Sequence, residues 1–168
     1  LDALVVSAQS ETARIRALSM RALGQWPNES ETVYALLNQS LKDKDPWTRY
    51  YACQSLGRLK HGASSEEVAL LLNDEAGQVR VAAVEALSHF NSSVAHEALR
   101  KAAQSKDLEV RRAALVGLGI SHRMEDLPIL LSAMSLADVA TRLMALAAIA
   151  KFPSERVLSA LNSAASDV

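Results

Sequence analysis

Five arginines set the terms for this chain. They stand at positions 16, 49, 80, 111 and 142, so the successive intervals are 33, 31, 31 and 31 residues. Around each the same phrase recurs: Ile15-Arg16-Ala17-Leu18-Ser19, Thr48-Arg49-Tyr50-Tyr51-Ala52, Val79-Arg80-Val81-Ala82-Ala83, Val110-Arg111-Arg112-Ala113-Ala114 and Thr141-Arg142-Leu143-Met144-Ala145. Seven positions after each arginine comes a large aliphatic: Leu23, Leu56, Leu87, Leu118 and Ile149. The residue after that is small: Gly24, Gly57, Ser88, Gly119 and Ala150. A fixed period of this length marks a repeat array, in which no unit buries its own apolar face and each covers it by stacking on its neighbours.

Within one copy the apolar positions fall at −1, +3, +4 and +7 from the arginine, which is the spacing of one helix face. The small residue at +8 reads as the glycine that ends that helix. Upstream of each such helix lies a second amphipathic stretch, as in Val33 to Leu41, Glu66 to Leu72, Val94 to Ala103 and Leu127 to Met134. Asn28 with Glu31, and Ser65 with Glu66 and Glu67, offer caps and early acidic groups that suit a helix start. Trp26-Pro27-Asn28-Glu29 and Phe152-Pro153-Ser154-Glu155 break the chain at the same phase. No strand-like alternation competes. Each copy therefore predicts a helical hairpin, with approximate bounds 1–26, 28–60, 64–91, 93–122 and 124–152 and a partial copy, 154–168, that reads as a lone first helix. Residues 1–168 make one all-α domain on this reading.

These phrases resemble the HEAT family, in the short form with a period near 31 residues found in bacterial proteins and phycobilisome-lyase-like repeats. Val79-Arg80, Ala83 and Leu87 carry the likeness best, with Val110-Arg111, Ala114 and Leu118-Gly119. The resemblance implies an α-solenoid, a right-handed superhelix of stacked antiparallel hairpins with about five repeats plus a terminal helix. It also implies that a turn aspartate meets each repeat arginine. Asp43 and Asp74 lie six residues before their arginines, Asp45, Asp107 and Asp138 four before, and Glu11 is the carboxylate near Arg16. These pairs are expected to be structural. Tetratricopeptide and ankyrin repeats fit neither the period nor the phrase.

Composition narrows the function classes. Lys and Arg number 18 against 19 acidic residues, so the net charge of −1 exerts no global pull on phosphate backbones or anionic lipid. The longest apolar run, Leu143 to Ala150, falls far short of the ~18 residues of a membrane span. The one cysteine, Cys53, sits at a +4 core position and has no partner for a disulfide, which points to a reducing, cytoplasmic setting. The chain opens at Leu1 without an initiator methionine or a signal-peptide pattern, as expected of an excised fragment. His61, His89, His96 and His122 form no paired ligand spacing with a glutamate, and no Cys-x-x-Cys exists, so neither metal nor cofactor is expected. Gly117-Leu118-Gly119 closes a helix instead of opening one after a strand, unlike a phosphate loop. No residue set suggests catalysis, and the chain reads as a non-enzyme.

Positions +1, +5 and +9 from the arginine lie away from the core, and unlike the core positions they vary between copies. They are Ala17, Arg21, Gln25; Tyr50, Gln54, Arg58; Val81, Glu85, His89; Arg112, Val116, Ile120; Leu143, Ala147, Lys151. The resemblance places this stripe on the concave side. Its middle, Tyr50, adjacent Tyr51, Gln54, Arg58, Glu85, His89 and Arg112, combines aromatic and charged groups of the kind enriched at interfaces, and forms the candidate protein-binding patch. The expected function is a protein-interaction scaffold for a protein or peptide, as a monomer or part of a longer chain and as an accessory domain of a larger bacterial protein. The alternative is a bilin lyase-like, chromophore-handling subunit. A nucleic-acid module is disfavoured, because Glu85 interrupts the run of Arg21, Arg58, Arg112 and Lys151.

Overall fold

The structure, a computed structural model, describes residues 1–26 and 30–158. Asn28 as a cap, Pro27 and Glu29, and residues 159–168 of the terminal copy lie outside the described residues. The chain forms two compact units, Leu1–Ala98 and Leu99–Val168.

The first unit contains α1 (Asp2–Ala8), α2 (Ala13–Leu23), α3 (Glu31–Ser40), α4 (Pro46–Arg58), α5 (Ser65–Leu70) and α6 (Gly77–Ser88). The helix α7 (Ser93–Ala102) runs from the first unit into the second, which continues with α8 (Leu108–Ser121), α9 (Leu127–Ala133) and α10 (Val139–Ile149). Short 3-10 turns, Gly62–Ser64 and Met124–Asp126, lead into α5 and α9. Every repeat arginine lies on an even-numbered helix, the second of its hairpin. In the first unit α4 packs between α2 and α6 and takes α3 against its other side; in the second, α10 packs on α8 and α9.

The repeated positions form the core. At +7, Leu23, Leu56, Leu87 and Leu118 are fully buried, and at +3 Ala52, Ala83, Ala114 and Ala145 are too. At −1, Val79 and Val110 are buried apolar residues, whereas Thr48 and Thr141 are buried polar ones. Those two hydroxyls are satisfied because Asp45 and Asp138 cap α4 and α10 and accept from both the backbone N–H and the hydroxyl of Thr48 and Thr141. Asp107 caps α8 in the same way, accepting from the Glu109 and Val110 N–H groups. The aspartates four residues before an arginine are thus helix caps. The cap of α3 is Ser30, which accepts from the Val33 N–H. Ser65 lies inside α5 and donates to the Gly62 carbonyl, so it does not cap.

The glycines correct a second expectation. Gly57 and Gly119 lie within α4 and α8, and Gly24 follows α2 in a right-handed conformation with φ of −66°. The left-handed residues that end α4 and α8 come later, at the same register: Lys60 with φ 54° and His122 with φ 51°. The glycines allow close approach between neighbouring second helices. A Cβ added to Gly57 would lie 2.8 Å from the Ala86 Cα, and one added to Gly119 would lie 2.8 Å from the Ala148 Cα.

The arginine ladder joins successive hairpins. Arg16 sends Nε and Nη2 to the two carboxylate oxygens of Asp43 at 2.7 and 2.8 Å, and Arg49 does the same to Asp74. The aspartate therefore serves the arginine of the preceding repeat, not its own. Its own arginine takes the main-chain carbonyl at −6, and all five do so: Arg16 to Ser10, Arg49 to Asp43, Arg80 to Asp74, Arg111 to Ser105 and Arg142 to Leu136. Each guanidinium pins the loop that enters its own helix, and in the first two copies it also grips the next hairpin. In the second unit the Asp138 cap also reaches Arg112 of the neighbouring second helix.

These contacts predict an acid limit to stability. Arg16 hydrogen bonds hold the Asp43 carboxyl below the ordinary range. Burial pushes Asp74 up, but the bonds from Arg49 and the Ala76 N–H carry it below. Thr141 and then Arg112 hold Asp138 at about 2. A carboxyl depressed in the folded state adds stability above its unfolded value near 3.8, and that stability disappears as pH falls through the folded value. The thermal midpoint followed by circular dichroism should hold down to about pH 4 and drop between about pH 4 and pH 2. Asp43→Asn should flatten part of that drop, and an unchanged slope would show that these pairs do not govern it.

Candidate functional site

In the first unit the candidate residues divide by how closely they are held. α4 opens with Pro46, suited to a first helical position, and the Asp45 cap fixes its first turn. The helix then projects Tyr50, Tyr51 and Gln54 on one side. Tyr50 and Tyr51 meet edge to face with ring centroids 5.1 Å apart, and the Gln54 amide donates to the Tyr50 hydroxyl at 2.8 Å. All three are half-buried. Burial raises the Tyr50 pKa above its usual value, and the Glu85 carboxylate adds to the rise, which puts that charge in the surroundings of the ring. Arg58, Glu85 and His89 are exposed.

Sequence reasoning missed Trp47, which completes this cluster. Its ring lies 5.4 Å from Tyr50 and 6.4 Å from Tyr51, and half of the residue, 51%, is open to solvent. Counting forward from the arginine overlooks it, but Trp47 precedes Tyr50 by three residues and Tyr51 by four, the spacing of one helix face. Arg21 of α2 stands over the Tyr51 ring with its guanidinium carbon 5.9 Å from the centroid.

Arg112 belongs to the second unit and has other duties there. Its guanidinium meets Asp138 at 2.9 Å and Glu109 at 2.6 Å. Val116 is half-buried, while Ile120 and Leu143 are 40% and 57% exposed. The same unit holds an ion pair that no repeat phrase announces, Arg100 with the fully buried Asp126 at 2.6 Å.

The remaining candidate groups are structural. His61 stacks on Tyr34 at 3.8 Å and shares a hydrogen bond with Ser64, and His122 lies edge-on to Phe152. Burial pushes the Cys53 thiol up to about 12, far from a reactive thiolate. Among the described residues no group of His, Cys, Asp or Glu is arranged to hold a metal ion. None of their helices is long and apolar enough to cross a membrane. An open cleft of about 720 Å³ beside α1, α3 and α5 is lined in part by Gln9, Arg16, Lys42, Asp43 and Glu67, of which Arg16 and Asp43 are engaged with each other.

The chain is similar to several solved structures. A chain in the complex of CpcE and CpcF of phycocyanin lyase from Nostoc sp. PCC7120 superposes with a TM-score of 0.74 at 19% identity, over 89% of this chain and 64% of that one. A designed armadillo repeat protein in complex with the peptide (KR)4 gives 0.62 at 16% identity, over 89% and 80%. The S. pombe condensin Cnd3-Cnd2 subcomplex gives 0.61 at 22% identity, over 86% and 22%. The chain thus spans just under two thirds of the lyase-complex chain and about a fifth of the condensin chain. No curated protein matches the sequence. HEAT repeats match residues 1–72 and 65–138. With that match over most of the chain, hairpins that bury the +3 and +7 positions in each copy and a ladder of repeat arginines, the protein belongs to the HEAT-repeat family.

Proposed function

We propose that the chain is a non-catalytic interaction scaffold that binds a protein or peptide through the outward face of its second helices, the side the family geometry makes concave. The observation that carries this reading is the half-open aromatic cluster of Trp47, Tyr50 and Tyr51. Folding buries the +3 and +7 positions, yet it leaves these large rings partly in water, and Arg58, Glu85 and His89 at the outward positions are exposed. Half-buried aromatics ringed by charged groups are the composition of interface hot spots. That the similar structures include chains complexed with CpcF, with a peptide and with Cnd2 supports a protein partner. The site comprises Tyr50, Tyr51, Gln54, Arg58, Glu85 and His89, with Trp47 added.

The test compares the wild-type chain with a Tyr50→Ala/Arg58→Ala variant as baits for a cell extract, with retained proteins identified by mass spectrometry. A partner held by the wild type should be lost by the variant, with helicity unchanged. Equal retention by both would move the site elsewhere on the molecule.

The likeness to the phycocyanin lyase complex favours chromophore handling as a second reading. A new visible absorbance band on mixing with a bilin would support it, and an unchanged spectrum would remove it.

A further inference from the structure

The partner's chemistry is written in the charges around the aromatic cluster, and this inference rests on the cluster being a protein-binding face. Residues 1–98 carry nine Lys and Arg against twelve Asp and Glu, so the first unit is acidic as a whole. Four outward register positions on α2 and α4 reverse that balance, with three arginines and no acidic residue. The adjacent helices α2 and α4 present the same register positions side by side. At −2 stand Arg14 and Trp47, at +2 Leu18 and Tyr51, at +5 Arg21 and Gln54, and at +9 Gln25 and Arg58. Arg14, Arg21 and Arg58 are exposed, and none makes an ion pair among the described residues. Leu18 is 50% exposed and Trp47 51%. The face thus alternates uncommitted guanidinium groups with open apolar surface.

Arg16 and Arg49 on the same two helices are buried and spend their donors on Asp43, Asp74 and loop carbonyls. Arg14, Arg21 and Arg58 have no such duty. Arg21 is held over the Tyr51 ring, which leaves its planar fork available to an incoming carboxylate. Among the acidic groups, Glu85 of α6 bears on the cluster from the Tyr50 side.

We infer that this face binds an acidic peptide segment bearing a large apolar or aromatic anchor. The anchor packs on Trp47, Tyr51 and Leu18, while its flanking carboxylates meet Arg14, Arg21 and Arg58. Glu85 opposes the carboxylates, and so sets the limit of the acidic footprint on the α6 side.

The test is fluorescence anisotropy of a short labelled peptide that alternates glutamate with leucine and tryptophan. It is measured against the same peptide with lysine for glutamate and against single-stranded oligothymidylate. The glutamate peptide should bind best, with affinity that falls as salt is added. Trp47→Ala should weaken binding about tenfold or more. Arg21→Gln/Arg58→Gln should weaken it by a similar factor, and Glu85→Gln should strengthen it. Since Trp47, Arg21, Arg58 and Glu85 all have exposed surface, circular dichroism should report an unchanged fold in each variant. Preference for the lysine peptide or the oligonucleotide, or indifference to Trp47→Ala, would overturn the inference. A cell-extract partner lost on Tyr50→Ala/Arg58→Ala, combined with no binding of the glutamate peptide, would also overturn it while leaving the protein-binding reading intact.

Discussion

Replacing Arg49 with methionine should cost about 3–5 kcal/mol of unfolding free energy, the range for removing one member of a buried ion pair. The reason lies in how much this guanidinium satisfies. Its side chain is 8% exposed and that of Asp74 is 6%. Nε and Nη2 span both oxygens of Asp74, while Nη1 donates to the carbonyls of Asp43 and Lys44. Methionine fills much of the volume but strips two carbonyls of their donor and leaves the buried Asp74 carboxylate with no cationic partner, held by the Ala76 N–H. Arg49→Lys should also be costly, since one ammonium cannot reproduce a planar fork that faces a carboxylate on one edge and a loop on the other. Adding Asp74→Ala to Arg49→Met should cost much less than Asp74→Ala alone, because the stranded charge is then gone. Urea unfolding followed by circular dichroism measures all four. A loss below about 1 kcal/mol for Arg49→Met would put the pair among ordinary surface ion pairs and refute its structural role.

Gly57→Ala should destabilise the protein, although alanine is the better helix former. On an exposed helix this change gains up to about 1 kcal/mol from backbone propensity. Here the new methyl carbon would sit 2.8 Å from the Cα and 3.1 Å from the Cβ of Ala86, so α4 and α6 must separate. Overpacking of this kind costs about 1–3 kcal/mol. The obstacle is backbone, which no rotamer change can move aside, so the steric term should win by about 1–2 kcal/mol. Gly119→Ala meets the same geometry against Ala148 in the second unit and should behave alike. Gly77→Ala is the control, because its added carbon would find only the end of the Arg80 side chain at 3.5 Å. It should be neutral or stabilising. A Gly57→Ala protein as stable as the wild type would show that the helices are not held apart by contact at this point.

The resemblance read from the arginine phrase led to the right family and to a helical solenoid. That much was legible because −1, +3, +4 and +7 lie on one face of any α-helix, whatever surrounds it. At the first and last copies the pattern holds in sequence while burial departs from it: Ile15 at −1 is 44% exposed and Leu146 at +4 is 50% exposed. The candidate face was legible in part. Tyr50 does touch both Tyr51 and Gln54, but Trp47 was overlooked and Arg112 proved to be engaged by Asp138 and Glu109. Asp138 lies 26 residues from Arg112, too far for any local pattern to connect them.

The sequence by itself determined the period, the helices and the face that each one buries, because these follow from spacings shorter than two helical turns. Only the tertiary structure decided what the arginines and glycines do. A capping glycine and a close-packing glycine look alike in sequence; the structure tells them apart by backbone conformation and by the neighbouring helix, whose backbone would lie within 3 Å of an added Cβ. In the same way Asp43 stands nearer in sequence to Arg49 than to Arg16, yet its carboxylate goes to Arg16, 27 residues back. Stacking places that turn beside the preceding hairpin, and a charge is paired by distance in space.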